Sequence, residues 1–161
     1  MGKKALGLSL WLGALAFALD RGHKFYQVEM AGWRGGEFTN VTSFFDYVLV
    51  WNPGISYGLL DFLPSEALLV IMIAAMVLLT VWWVKAETAL VRCGLAICLG
   101  GAASHVIDRF MYGAVPDFFH FHWGTWSFYI FNISDAAITL GVGLLLVDMV
   151  WPDKKSGTQP Q

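Results

Sequence analysis

Asp135 is the residue whose position in this sequence most requires a chemical explanation. It lies in the run FNISDAAITLGVGLLLVDMVW (131–151), most of which is apolar enough for lipid. An aspartate at the centre of a bilayer costs roughly 2.5–3.5 kcal/mol, and no basic residue stands within four positions of Asp135. It therefore needs a bound proton or a partner from another segment. Asn132, three residues earlier, shares its helical face.

A second aspartate, Asp117 in the stretch GAVPDFF, could supply that partner. Two carboxylates at short range cannot both ionise comfortably, so such a pair shares one proton near neutral pH. The ionised member can take a proton from water while the protonated member polarises a carbonyl group. If Asp117 packs against Asp135, the resulting chemistry is peptide-bond hydrolysis without a metal ion or a covalent intermediate.

Further polar residues cluster near the same end of the apolar runs. Asp20 and Lys24 are four residues apart and share a helical face, and the stretch GGAASHVIDR adds His105, Asp108 and Arg109. Interfacial ion pairs or helix caps are the alternative interpretation of these residues, because a charge at the end of a span costs little.

Two other functions compete for the same polar cluster. His105, His120 and His122 could be zinc ligands with Asp117 as a fourth, as in a zinc-dependent membrane hydrolase. The HFH spacing has little specificity for zinc, however, and we expect neither a metal ion nor another cofactor. Intramembrane carboxylates also serve proton-coupled transport, but four spans without an internal repeat argue against a transporter.

The composition places these residues in a membrane protein. Of the 161 residues, 57% are hydrophobic and 14% are charged, whereas a soluble domain carries about 25% charged residues. Four runs approach the ~20 residues that a bilayer requires, which predicts an all-α membrane protein with spans at about 5–19, 67–84, 88–106 and 128–150. We expect one domain over residues 1–151 and a disordered polar tail at 152–161. Nothing in the charge pattern indicates nucleic-acid binding.

The basic residues predict how the four spans are oriented. They gather at the N-terminus, after the second span and in the tail, namely Lys3, Lys4, Lys85, Lys154 and Lys155. Because cytoplasmic loops are enriched in Lys and Arg, both termini should be cytoplasmic and the polar cluster should lie near the outer leaflet. The first run could also be a cleaved signal peptide, but cleavage would remove the anchor of Asp20 and Lys24.

The long outward segment between the first and second spans is rich in Val, Thr, Phe and Tyr, as in FTNVTSFFDYVLVWN. These residues favour strands. The sequence therefore predicts a small extracytoplasmic sheet between helices one and two, resting on the outer membrane surface.

With these residues in place, the chain resembles the lipoprotein signal peptidase family, also called signal peptidase II. Four blocks carry the resemblance in order: DRGHK, WNPGISYGLL, GGAASHVIDRFMYGAVPDFF and FNISDAAITLG. They match the family's Asp-x-x-x-Lys, its Asn-x-Gly block with Gly58, its Gly-Gly-Ala, Ile-Asp-Arg, Gly-x-Val and Asp-Phe elements, and its Phe-Asn-x-x-Asp block. The resemblance extends from about Asp20 to Val147.

The resemblance implies an aspartic endopeptidase of the bacterial inner membrane, with Asp117 and Asp135 as its catalytic pair. Such an enzyme removes the signal peptide from diacylglyceryl-modified prolipoproteins, cutting before the lipidated cysteine, and globomycin-type cyclic peptides inhibit it. The family works in contact with membrane lipid, and we expect a monomer. The outward sheet looks like the family's β-cradle. By the same resemblance, Asn52, Gly54, His105, Arg109 and Asn132 bind substrate, and Asp20, Lys24 and Asp108 order the site.

The chain departs from the family pattern at Ser104-His105, where the family reads Gly-Asn. A neutral imidazole can donate and accept hydrogen bonds as an amide does, but with a different reach. The departure leaves both aspartates in place. A histidine at this substrate-binding position could therefore alter the substrate range or the response to pH relative to the family.

Overall fold

The computed structural model describes residues 3–54 and 64–151 of the chain. Gly58, Lys154, Lys155 and the predicted polar tail lie outside the described residues. The helices are α1 (Lys3–Lys24), continued by a π-helix (Phe25–Met30), then α2 (Ser65–Lys85), α3 (Ala89–Tyr112) and α4 (Ile133–Val150). The strands are β1 (Phe38–Thr42), β2 (Phe45–Asn52), β3 (Val115–Trp123) and β4 (Trp126–Ser127).

Within the described residues, four helices are long and apolar enough to cross a membrane, so the predicted fold class is confirmed. The first of these spans runs from Lys4 to Met30, well beyond the predicted end near residue 19. Asp20 and Lys24 therefore lie inside a continuous helical span rather than at its end. The helix can carry them because their opposite charges compensate each other at 2.7 Å.

Helix α4 begins at Ile133 rather than near Phe128. The residues before it extend the sheet instead: the backbone N–H groups of Phe128 and Phe131 donate to the carbonyls of Phe121 and Phe119. Asn132 then ends the extended segment as the N-cap of α4. An apolar run thus divides into a strand-like part and a helix, because cross-strand partners compete with helical hydrogen bonds.

The four strands form one antiparallel sheet in the order β1-β2-β3-β4. The sequence led us to expect a sheet built from the segment between helices one and two, but β3 and β4 come from the segment after α3. The pairing of β2 with β3 places Val50 opposite Asp117 and Asn52 opposite Val115. Asn52 and Asp117 therefore stand on neighbouring strands, near the end of the sheet where α3 leads into β3.

Helix α3 packs against α1 and α4 at backbone distance. A Cβ atom at Gly13 of α1 would lie 2.7 Å from the Ala96 carbonyl oxygen, and one at Gly94 of α3 would lie 2.8 Å from that of Gly141. Only glycine permits these approaches. Helix α2 packs mainly on α3, and only 6% of its most apolar segment is buried in the protein. The protein thus has a tightly packed unit of α1, α3 and α4, with α2 at its side.

Candidate active site

A cavity of about 320 Å³ lies between the spans and the sheet. Asp117 reaches it from β3, and Asp135 reaches it from the first turn of α4. The structure therefore brings the two aspartates of the sequence analysis to one site. The other lining residues are Asn52, Gly54, Met72, Ala75, Met76, Leu79, Ala102, His105, Arg109, Val115 and Ile138.

Both carboxylate oxygens of Asp117 accept hydrogen bonds from side-chain amides. Asn52 Nδ2 donates to Oδ2 at 3.1 Å, and Asn132 Nδ2 donates to Oδ1 at 2.6 Å. Asp117 is only 3% exposed. Burial, reinforced by the nearby charge of Asp135, raises the pKa of Asp117 to about 7, although the two amides oppose this shift. Asp117 can therefore hold a proton at neutral pH.

Asp135 is held by the N-terminus of its own helix. Its Oδ2 accepts the backbone N–H of Asn132 at 3.0 Å, while Asn132 Oδ1 accepts the backbone N–H of Asp135 at 3.0 Å. This reciprocal pair is a capping box, and the helix N-terminus stabilises a negative charge there. The apolar surroundings of Asp135 in the sequence predict a partner from another segment, whereas its partner in the capping box is local. The Asn-x-x-Asp spacing was the signal that a local partner exists.

Asn132 connects the two aspartates, since its side-chain amide contacts Asp117 and its backbone N–H contacts Asp135. The residue is fully buried. His105 lies beside this connection, with its Nε2 3.1 Å from Asn132 Oδ1 and 3.7 Å from Asp135 Oδ1. One asparagine thus fixes how the two carboxylates are oriented relative to each other.

A buried ionic network underlies the site. Lys24 Nζ lies 2.7 Å from Asp20 Oδ2 and 2.5 Å from Asp108 Oδ2, and all three residues are at most 1% exposed. Arg21 also pairs with Asp108. The network joins α1 to α3.

Asp20 extends this network to α4. Ser104 Oγ donates to its Oδ2 at 2.6 Å, and the backbone N–H of Ser134 donates to its Oδ1 at 2.9 Å. Sequence reasoning missed Arg21, Ser104 and Ser134 as members of the network. Arg21 could have been suspected because it adjoins Asp20 in the first block, but the serines carry no such signal.

Arg109 binds the chain just after β2. Its guanidinium donates to the carbonyl oxygens of Pro53, at 2.8 Å, and of Gly54. Asp108, the neighbour of Arg109 in the sequence, pairs with Lys24 and Arg21 instead. The two neighbours therefore bind different partners rather than each other. Within the described residues, the buried Nε of Arg109 has no hydrogen-bond partner.

The histidines of the zinc alternative lie in two different environments. His120 Nδ1 and His122 Nε2 lie 3.4 and 3.0 Å from Asp46 Oδ2 on the sheet, whereas His105 contacts Asn132. Across residues 3–54 and 64–151, no group of three or more His, Cys, Asp or Glu side chains is arranged to hold a metal ion.

A family model described as signal peptidase (SPase) II matches residues 12–151 of the chain. The chain belongs to the signal peptidase II family. Curated relatives agree: the lipoprotein signal peptidase of Methylocella silvestris is 38% identical over 155 residues, covering 94% of this chain and 90% of that protein. The lipoprotein signal peptidase of Brucella ovis is 37% identical, covering 92% of each chain.

Solved structures support the fold independently. A bacterial membrane enzyme determined by the in meso method at 2.3 Å resolution superposes with a TM-score of 0.81 at 22% identity, covering 96% of this chain and 94% of that one. A second such structure, at 1.9 Å resolution, gives a TM-score of 0.77 at 23% identity. These similarities show that the four helices and the sheet have the arrangement of known membrane enzymes.

The predicted site residues fall into two groups, those that line the cavity and those that lie outside it. The cavity joins Asn52, Gly54, His105 and Arg109 to the two aspartates, and Asn132 contacts both of these aspartates. Asp20, Lys24 and Asp108 lie outside this lining. They pair with one another between α1 and α3, and the charge of Lys24 also opposes the rise in the pKa of Asp117.

Proposed function

We propose that this protein is an aspartic endopeptidase that removes the signal peptide from diacylglyceryl-modified prolipoproteins. The observation that carries the proposal is the convergence of Asp117 and Asp135 on one cavity, with the pKa of Asp117 raised to about 7. Family membership supports the same activity, because the relatives of this chain are lipoprotein signal peptidases. Hydrolysis by water that a pair of carboxylates activates needs no other cofactor.

The two aspartates take different parts in the proposed reaction. Asp117 holds the shared proton at neutral pH and donates it toward the carbonyl oxygen of the scissile peptide. Asp135, left as the carboxylate, removes a proton from the attacking water. When the C–N bond of the tetrahedral intermediate breaks, Asp135 passes the proton that it took from water to the leaving amine, and a hydroxyl proton of the intermediate returns to Asp117 as the new carboxyl group forms. The pair therefore ends the cycle with one proton, as it began.

Substrate backbone binds to the polar side of the cavity. Asn52 lines the cavity beside Asp117, whereas Asn132 is fully buried and contributes through its hydrogen bonds to the two aspartates. The Nε of Arg109, which has no partner among the described residues, is a donor for a substrate carbonyl. Arg109 also holds Gly54 in the chain segment that borders the cavity. Helix α2 supplies an apolar wall of Met72, Ala75, Met76 and Leu79, which suits a lipid-modified residue and an apolar signal helix.

The test of this function is cleavage in detergent by the purified protein. A diacylglyceryl-modified prolipoprotein should shift on a gel to its shorter form, and the unmodified precursor should not.

The shift should persist in excess EDTA or phenanthroline, because the dyad of Asp117 and Asp135 needs no metal ion. Activity lost on chelation and restored by zinc would support the zinc hydrolase instead. Failure to cleave either precursor would remove the peptidase proposal, and proton-coupled uptake by liposomes would then favour a transporter.

We further propose that the site faces the periplasm and that both termini are cytoplasmic. Lys85, at the end of α2, is exposed on the side predicted to be cytoplasmic, whereas the sheet lies at the other end of the spans. In a background without Cys93 and Cys98, we expect cysteines at Thr39 or Thr125 to react with an impermeant thiol reagent in intact cells. A cysteine at Ser156 should react only after the cells are lysed. Labelling of Ser156→Cys alone in intact cells would invert this orientation.

A further inference from the structure

The side-chain amide of Asn132 has a defined orientation. Its Oδ1 accepts the backbone N–H of Asp135 at 3.0 Å, and a backbone N–H can only donate. The oxygen is therefore the atom that faces the helix, and Nδ2 is the atom that faces Asp117 Oδ1 at 2.6 Å. The usual ambiguity between the two ends of an amide is thus removed by a backbone group.

This orientation determines which atom of His105 carries a proton. His105 Nε2 lies 3.1 Å from the same Asn132 Oδ1. Because a carbonyl oxygen only accepts hydrogen bonds, Nε2 must carry a hydrogen and donate it. Asn132 Oδ1 thus accepts two hydrogen bonds, one from the backbone N–H of Asp135 and one from His105.

We propose that His105 is a positioning residue of the dyad, which acts by holding the amide of Asn132 toward Asp117. The proposal rests on the proposed function and adds a residue that acts through another. Asn132 orients Asp117 through Nδ2 and Asp135 through its backbone N–H. His105 prevents the amide from rotating about its last bond, and so keeps the two carboxylates in one relative geometry.

The position of His105 suits this role better than a role in packing. It lines the cavity, and its side chain is 12% exposed, so a small molecule can reach the place it occupies. His122, in contrast, lies on the sheet beside Asp46 and does not line the cavity. It offers a matched control for the loss of one imidazole.

The experiment compares His105→Leu, His105→Gln and His122→Leu in the cleavage assay with a lipidated precursor. Leucine fills a similar volume but cannot donate, so kcat should fall about 10-fold to 100-fold while KM changes by less than about 3-fold, as for one lost hydrogen bond at a reacting group. Glutamine places an amide donor near the position of Nε2 and should recover most of that loss. His122→Leu should stay within about 2-fold of the parent.

A second measurement keeps the proposal testable if His105→Leu does not fold. Added imidazole should raise the kcat of His105→Ala at least about 5-fold, because it can enter the cavity and donate to Asn132. It should have no effect on Asp117→Asn, which lacks the dyad itself. A full kcat in His105→Leu would overturn the proposal, as would a loss that neither glutamine nor imidazole relieves. If Asp117→Asn itself cleaves normally, the proposed function fails, whatever the result at His105.

Discussion

Replacing Asp117 or Asp135 by asparagine should abolish cleavage of a lipidated prolipoprotein. Asparagine keeps the shape of the side chain but can neither hold the shared proton nor take one from water. General acid and base catalysis each contribute roughly 10²–10⁴-fold, so each variant should lose at least about 10²-fold in kcat. The measurement is single-turnover cleavage by purified variants. Asp148→Asn is the matched control, because Asp148 bonds to Thr88 far from the cavity and should retain full activity.

In the parent protein, a rise in pH removes the proton that Asp117 holds. As pH rises above the pKa of Asp117, about 7, Asp117 loses the proton that it donates and kcat/KM should fall. The stability of the folded protein depends on pH in the same direction. Between pH ~4 and ~7 the folded protein keeps a proton that the unfolded chain has lost, so stability decreases as pH rises through this window. Asp117→Asn lacks this titrating group, so its stability should depend less on pH than that of the parent across this window. Robust cleavage by either asparagine variant would remove that residue from the dyad.

Replacing Lys24 by methionine should destabilise the protein by about 3–5 kcal/mol, the usual cost of removing one partner from a buried ion pair. Lys24 is 1% exposed and lies between Asp20 and Asp108, which are both fully buried. Its loss leaves Asp20 without a cationic partner, and Arg21 alone on Asp108. The measurement is the thermal unfolding midpoint in detergent, together with cleavage activity. Lys85→Met, at the exposed end of α2, is the control and should unfold as the parent does.

A triple variant separates the pairing of these charges from their burial. Asp20→Asn, Lys24→Met and Asp108→Asn together should recover much of the stability that Lys24→Met loses, because neutral groups no longer carry the cost of buried charge. Recovery of stability without recovery of activity would assign the network to ordering the site. An unchanged midpoint in Lys24→Met alone would show that the network does not contribute to folding.

Sequence alone could single out Asp117 and Asp135, because a carboxylate in or beside an apolar run is costly wherever it stands. It could also predict the four spans, since hydropathy is a local property of the chain. The capping box of Asn132 and Asp135 was equally local, and its spacing was readable. What the structure adds is that the two aspartates reach one cavity from different elements.

The remaining features depend on pairings between distant segments. Strand β3 pairs with β2 across more than sixty residues, and no pattern within either strand specifies that partner. Arg109 bonds to the backbone carbonyls of Pro53 and Gly54, and a backbone acceptor leaves no mark in the sequence. The first span carries Asp20 and Lys24 beyond its apolar run, and only tertiary contact reveals that Asp108 of α3 also pairs with Lys24.

The contrast between the glycine-packed helices and α2 bears on how this protein can diversify. The dyad and its ionic support belong to α1, α3, α4 and the sheet, where a side chain at Gly13 or Gly94 would collide with a neighbouring backbone. The apolar wall of the cavity comes instead from α2 and includes Met72 and Met76, whose flexible thioethers fit irregular surfaces. Substitutions in α2 can therefore reshape the wall without moving the carboxylates. If the wall binds the signal segment as proposed, such substitutions should change which precursors are cleaved and leave the reaction itself unchanged.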